Sequence, residues 1–511
     1  MKLAKTLMIQ GTASHVGKTM IVAALCRIFS EMGLKVAPFK AQNMSLNSYV
    51  TLDGGEIAWA QALQALASGI EPETYMNPIL LKPTSNGKIQ VVINGRAVAD
   101  VHFRDYLTGP LRPRVLKTIK ESLKRLMSIY DLIIMEGAGS PAEINLYDVD
   151  LTNMYVASLA NSPVIIVGDI DRGGVFASLY GTLKLLKPKH RALVKGFIIN
   201  KFRGEKSILK AGIERLEALT GKRVLGIIPF LDGFTIAPED SLSLEERDTY
   251  GSGPLKISVI RLPHISNFTD LDPLISQPLM KIRYVRDRQS LDGSDAIIIP
   301  GTKNTIRDLE WLNSTGIGDA IVSLSGKIPI IGICGGFQML GNKVIDERGI
   351  EDGRPGTWEG LSLLDVMTYF SEYLKKTVRV EAEVICGHGL LTWARGGILR
   401  GYEVHMGNSK VSYFAKRAFR IISTSGRPDN RLEGVISNEG TILGTYIHGL
   451  FREKPVRDSL MRFLKERAKD VYSESLAHSH SGDIYLHMIG KFAEIVYQNV
   501  DINYIKRIIK L

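Results

Sequence analysis

Two short stretches of the chain carry residue types that can do chemistry. The first is GTASHVGKT at 11–19. Gly11 and Gly17 permit a tight turn, and the backbone N–H groups of such a loop, Thr12 included, face an anion. Lys18 could then reach the β- and γ-phosphates of ATP, and the Thr19 hydroxyl could hold Mg²⁺. The spacing is G-x5-GKT, one residue longer than the usual phosphate loop. The second stretch is IPIIGICGGFQMLG at 328–341, which sets Cys334 among glycines. A thiol on a sharp turn before a helix is pushed towards its thiolate by the helix N-terminus, and a thiolate can attack a carboxamide. The Gly335 N–H could hold the resulting oxyanion, with a second donor from the turn PGTKNT (300–305), near Gly301 and Thr302. Such a thiol needs a base. His448 in GTYIHGLF (444–451) ends a β-like run and is the candidate.

Both stretches need a strand behind them and a helix ahead, and the surrounding text supplies these. AKTLMIQ (4–10), LKVAPF (34–39), YDLIIME (130–136), SPVIIVGD (162–169) and ALVKGFIIN (192–200) read as buried strands. Helical spacing falls between them, at 18–32, 112–128, 149–160 and 207–219. Continuous apolar strands alternating with helices predict an α/β fold, a parallel sheet covered on both faces. Around 232–254 the pattern dissolves into charge, Gly, Ser and Pro. A second alternating unit starts at LKISVIRLP (255–263) and continues through SDAIIIPGT (294–302) and KIPIIGIC (327–334), turning more β-like from 375 to 447. The expected organisation is a P-loop domain over 1–235, a linker over 236–254, a second α/β domain over 255–455 and a helical extension over 456–511. His478 and His480 in that extension read as solvated loop residues, since no thiolate or carboxylate cluster accompanies them.

Composition narrows the class. Of 511 residues, 45% are hydrophobic and 23% charged, which is ordinary for a globular chain and excludes wholesale disorder. No apolar run is long enough to span a bilayer, so no membrane role is expected. The glycine loop at Gly11 leaves no room for a signal peptide, and three cysteines (Cys26, Cys334, Cys386) fit a reducing, cytoplasmic compartment. The net charge of +11 suits an anionic partner. It is dispersed, without a Lys/Arg block, so nucleic acid is not the expected one. A homo-oligomer stays open.

Longer strings add a resemblance. The P-loop variant is similar to that of dethiobiotin synthetase and its relatives. PFKAQNMSLNS (38–48), MNPILLKP (76–83), MEGAGSPAEINL (135–146), VGDIDRGGVFASLYGTL (167–183) and GFIINKFRG (196–204) resemble the cobyric acid synthase family. GICGGFQML with TYIHGLF resembles the class I (triad) glutamine amidotransferases in the branch fused to such synthetases. The likeness runs from residue 1 to about 455. It implies a dethiobiotin synthetase-like P-loop synthetase followed by an α/β amidotransferase domain. The implied activity is ATP- and glutamine-dependent amidation of a corrinoid polycarboxylate.

The resemblance also implies roles. Lys40 would sit beside the phosphates and the acceptor carboxylate, its other reading being a solvated strand-end lysine. Glu136 would bind metal, as a carboxylate ending an apolar strand otherwise stands as a costly isolated charge. Glu56 fits two readings equally, a second acidic metal ligand or an acidic first-turn residue. Asn200 resembles the adenine-reading Asn of the superfamily. Asp169 and Asp171 look like site residues or turn residues. Cys334 and His448 would form the amidotransferase pair. Many triad enzymes carry His-x-Glu here, whereas this chain reads His448-Gly449-Leu450, so the group orienting His448 is not identified. Glu403 and His405 are assigned to structure or a domain interface, and His264 and His388 to nothing specific. Partitioning-type ATPase switches share the P-loop superfamily but carry a signature Lys where this chain has Ala13, which argues against that class.

Overall fold

The computed structural model describes residues 3–84, 87–231, 248–373, 375–467 and 484–511. His478, His480 and most of the expected linker lie outside them.

Strands Lys5–Gly11, Val36–Phe39, Leu132–Glu136, Val164–Asp169, Val194–Phe202 and Arg223–Pro229 form one parallel sheet. Lys5–Gly11 lies inside it, between Val164–Asp169 and Leu132–Glu136. Side chains alternate along each strand, so that Leu7 and Ile9 enter one core and Met8 the other. That is why these runs are apolar throughout rather than every second residue. The last strand, Arg223–Pro229, escapes the sequence reading because it is an edge with only Leu225 and Ile228 fully covered. A smaller, mostly antiparallel sheet of Gln42–Met44, Ile79–Pro83, Lys88–Ile93 and Arg96–His102 was likewise not expected.

The second unit is built on a ten-stranded sheet. Its parallel half holds Leu255–Ile260, Met280–Val285, Ala296–Ile299, Ile330–Ile333 and Ile442–Thr445. Beyond Ile442–Thr445 the sheet turns antiparallel through Arg427–Ile436, Lys416–Thr424, Lys376–Val384 and Ile398–His405. Thr249–Tyr250 adds an antiparallel edge, so residues expected in the linker already pair with this domain.

The C-terminal segment divides. Helix Lys454–Arg467 buries Val456, Leu460, Met461 and Leu464 in the second domain's core. Helices Ile484–Asn499 and Ile502–Ile509 return to the first domain, where Val496, Val500, Ile505 and Ile509 cover the face of the parallel sheet beside helix Lys18–Glu31. The two domains also touch directly. Val50 packs with Tyr402 and Val404, Lys375 pairs with Glu56 at 2.6 Å, and Arg379 with Glu71 at 2.8 Å. Among the described residues no helix is long and apolar enough to cross a membrane.

Candidate active site

Two centres emerge, one at the carboxyl end of each parallel sheet. In the first domain the strand Lys5–Gly11 runs into the loop, and Gly17, at φ 98°, makes the left-handed turn that starts helix Lys18–Glu31. Lys18 Nζ donates to the carbonyls of Ala13 at 2.8 Å and Gly139 at 3.1 Å, so it arches over its own loop. Asn200 donates from Nδ2 to Val16 O at 2.8 Å and braces the loop from strand Val194–Phe202, two strands away in the sheet. Asp169 accepts from Lys201 Nζ at 2.7 Å and from the N–H of Asp171, which itself pairs with Arg203.

Glu136 is the hub. It is 2% exposed, and its Oε1 accepts from Lys40 Nζ at 2.9 Å and from Thr19 Oγ1 at 3.0 Å. Its Oε2 accepts from Gln64 Nε2 at 2.6 Å, with Gln61 at 3.4 Å. These donors satisfy the hydrogen-bonding capacity of a buried carboxylate at the end of a parallel strand. The carboxylate and the Thr19 hydroxyl are hard oxygen donors side by side, a set that fits Mg²⁺, which needs only one or two protein ligands beside phosphate and water. Glu56 is not brought there. It sits on the short strand Glu56–Ala58, and its two oxygens are taken by Lys82 and by Lys375 of the other domain. Those ammonium groups hold its carboxyl well below the usual range despite burial that pushes the other way. The expectation of a second metal ligand is corrected to an inter-domain ion-pair centre, because two ammonium groups already match the charge of this carboxylate.

In the second domain Cys334 caps helix Gly335–Leu340 directly after strand Ile330–Ile333 and has φ 55°, a strained conformation for a residue with a Cβ. The packing leaves no room to relax: a Cβ on Gly336 would fall 2.0 Å from Ile299 O. The turn at 300–305 closes on this elbow. A Cβ on Gly335 would lie 3.3 Å from Thr302 N, and one on Gly301 would lie 3.2 Å from His448 Cε1.

His448 is fully buried and stacked on Tyr402, with its Nε2 3.4 Å from Asn267 Nδ2 and Cys334 close enough to act on its charge. Its Nδ1 faces Asp270 Oδ2 at 2.7 Å, and Asp270 Oδ1 accepts from Gly449 N–H at 2.8 Å. Gly449 has φ 81°, the left-handed turn that aims its N–H at that oxygen. Burial alone would lower the imidazole; the Asp270 carboxylate, then Cys334, overcome it and push the group up to about 10. Asp270 is the residue that sequence reading missed. Its one signal is an acidic residue inside the short turn FTDL, all four residues of which are buried, a place where a carboxylate needs a partner.

The remaining candidates go elsewhere. Glu403 is held by Lys376 and Arg431. His405 stacks on Tyr446 and is pushed down to about 4 by burial, hence neutral. His264 pairs with Asp308, and His388 faces Cys386 Sγ. Burial pushes the Cys26 thiol up to about 12, which suits an inert core residue.

Fold and geometry together define a P-loop nucleotide-binding domain joined to a glutamine amidotransferase domain with a buried Cys–His–Asp arrangement. The comparisons agree. A model of the CobQ/CobB/MinD/ParA nucleotide binding domain matches residues 7–244, and one of the CobB/CobQ-like glutamine amidotransferase domain matches 256–456. The chain is 46% identical over 512 residues to a probable cobyric acid synthase of Methanothermobacter thermautotrophicus, covering 99% of each chain. It is 45% identical to the cobyric acid synthase of Clostridium botulinum over 98% of this chain and 99% of that one. The Pelotomaculum thermopropionicum enzyme of that name is 47% identical over 91% and 88%. The chain belongs to the cobyric acid synthase family.

Proposed function

We propose that the chain is a carbon–nitrogen ligase of cobalamin biosynthesis. It amidates the b, d, e and g carboxylates of adenosylcobyrinic acid a,c-diamide to give adenosylcobyric acid, with glutamine as nitrogen donor. The observation that carries this reading is the Cys334–His448–Asp270 arrangement placed against a P-loop domain whose Lys40, Thr19 and Glu136 converge.

In the second domain, Cys334 Sγ attacks the glutamine carboxamide carbon, and the charge on oxygen is met by the Gly335 N–H with the turn at Gly301 and Thr302. His448 passes a proton to the departing ammonia, held in register by Asp270. Water then cleaves the thioester to glutamate and restores the thiol. In the first domain, the loop from Gly11 to Gly17 cradles the ATP phosphates, with Lys18 neutralising them; the expected Thr12 N–H is not among the donors, since it is given to Val167 O at 2.9 Å. Asn200 keeps the loop in place. Thr19 and Glu136 would hold Mg²⁺, which when bound neutralises phosphate charge. A substrate carboxylate oxygen attacks the γ-phosphorus, ADP leaves, and Lys40 faces the acyl phosphate. Ammonia displaces phosphate from the acyl carbon, leaving the amide. Activation is needed because a carboxylate is a poor electrophile at neutral pH.

The test is mass spectrometry of the corrinoid after incubation with ATP, Mg²⁺ and glutamine, since each step exchanges OH for NH₂. Cys334→Ser should abolish the glutamine-dependent series yet permit amidation from ammonium salt. Retained glutamine-dependent turnover would remove Cys334 as nucleophile.

A further inference from the structure

Glutamine must be recognised at both ends, and the triad touches only its carboxamide. The cavity at Cys334 is also lined by charged side chains that the chemistry above does not use: Lys82, Lys303, Lys375 and Glu351. Lys82 and Lys375 are committed to Glu56. Lys303 and Glu351 are not committed in that way. Lys303 Nζ donates to a neutral partner, Gln90 Oε1, at 3.2 Å, and Glu351 Oε1 accepts from the Thr305 N–H at 2.8 Å. Each is therefore a half-buried charge whose hydrogen bond is to an uncharged group, an arrangement with capacity for a charged ligand. The cost of that burial is visible. Burial pushes Glu351 up to about 7 and Lys303 down to about 8. Both residues, with Met406, also line an adjoining space between the domains that includes Asp100 and Tyr373. They stand where the two spaces meet.

A free α-amino acid carries one ammonium and one carboxylate on the same carbon. We infer that Glu351 and Lys303 form the α-amino-acid subsite of the glutamine pocket, Glu351 taking the α-ammonium and Lys303 the α-carboxylate. This rests on the reading of Cys334 as the glutamine-hydrolysing thiol. It adds a consequence for the two-domain design. Gln90 belongs to strand Lys88–Ile93 of the nucleotide-binding domain, so the lysine that recognises glutamine is positioned from the other domain.

The experiment uses the full chain and three substrates in a steady-state hydrolysis assay. They are glutamine, glutaramate (which lacks the α-amino group) and 4-aminobutanamide (which lacks the α-carboxylate). Glu351→Gln should raise KM for glutamine about 10- to 100-fold, the worth of a charge-assisted hydrogen bond, while KM for glutaramate stays put. Lys303→Gln should mirror this, sparing 4-aminobutanamide. Gln90→Leu should raise KM for glutamine by a smaller factor with little change in kcat. The subsite is overturned if either variant keeps the wild-type KM for glutamine, or loses glutamine and its truncated analogue in equal measure. Failure of the underlying reading looks different: a wild-type chain that leaves glutamine intact, or a Cys334→Ser chain that still hydrolyses it.

Discussion

Asp270→Asn isolates the charge that orients the base. A carboxylate offers two acceptor oxygens, and Asp270 uses one for His448 Nδ1 at 2.7 Å and the other for Gly449 N–H at 2.8 Å. An amide of the same shape has only one acceptor, so it cannot serve both. If its oxygen stays on Gly449, its N–H₂ faces Nδ1, which must then accept, and the ring is forced into the tautomer that cannot take a proton from Sγ. If its oxygen serves Nδ1, the buried Gly449 N–H loses its partner and the imidazolium still loses its countercharge. The size follows from the elevated imidazole. Each pKa unit is tenfold in the ratio of protonated to neutral ring, so losing the Asp270 charge lowers that ratio while burial goes on opposing the protonated form. With a tautomer penalty of the kind known for buried Asp–His pairs, the glutamine-hydrolysis rate should fall about 10³–10⁴-fold. The assay is initial glutamate release at pH 7.5, run beside the rate of Cys334 alkylation by iodoacetamide, which reads thiolate directly. A variant within about tenfold of wild type, alkylating at the wild-type rate, would refute the orientation argument.

Other outcomes follow from the same contacts. Lys18→Ala should abolish ADP formation while glutamate release continues, because the phosphate loop and the thiol occupy separate domains; measuring the two products separately checks it. Glu136→Gln should raise the Mg²⁺ concentration needed for half-maximal ADP formation at least tenfold, since a neutral amide is a poorer ligand for a hard cation. It should also lower Tm, because the buried Lys40 would lose its carboxylate partner. Glutamine hydrolysis should give a bell-shaped kcat/KM profile. It should rise as Glu351, pushed up by burial, ionises and fall as Lys303, pushed down by burial, deprotonates, because the subsite requires one anion and one cation. The charges facing this pair are Lys375, Glu56 and Asp100 around Lys303, and Asp346 beside Glu351. Glu351→Gln should flatten the acid limb, and a profile unchanged in that variant would separate the limb from Glu351.

What could be read without coordinates was local. The phosphate loop and the nucleophile turn are each a strand, a tight turn and a helix contiguous in the chain, so their residues meet whatever the rest of the fold does. The five strands read from 4 to 200 lie in the parallel sheet, because full burial writes an unbroken apolar run into the sequence. Edge strand Arg223–Pro229 left a weaker mark, being only half-covered.

Tertiary structure decided everything that depends on distant residues choosing partners. Asp270 reaches His448 across 178 positions, and nothing in either neighbourhood encodes the other. Glu56 could have been a metal ligand by its local pattern; two lysines, one of them 319 positions away, made it an ion-pair centre instead. The final helices look like an appendage in sequence, yet they close the open face of the first domain's sheet. Periodicity records whether a side chain is buried, which each segment settles for itself. Which charge lies against which is settled only when domains dock, because a carboxylate's fate depends on the cation that arrives beside it.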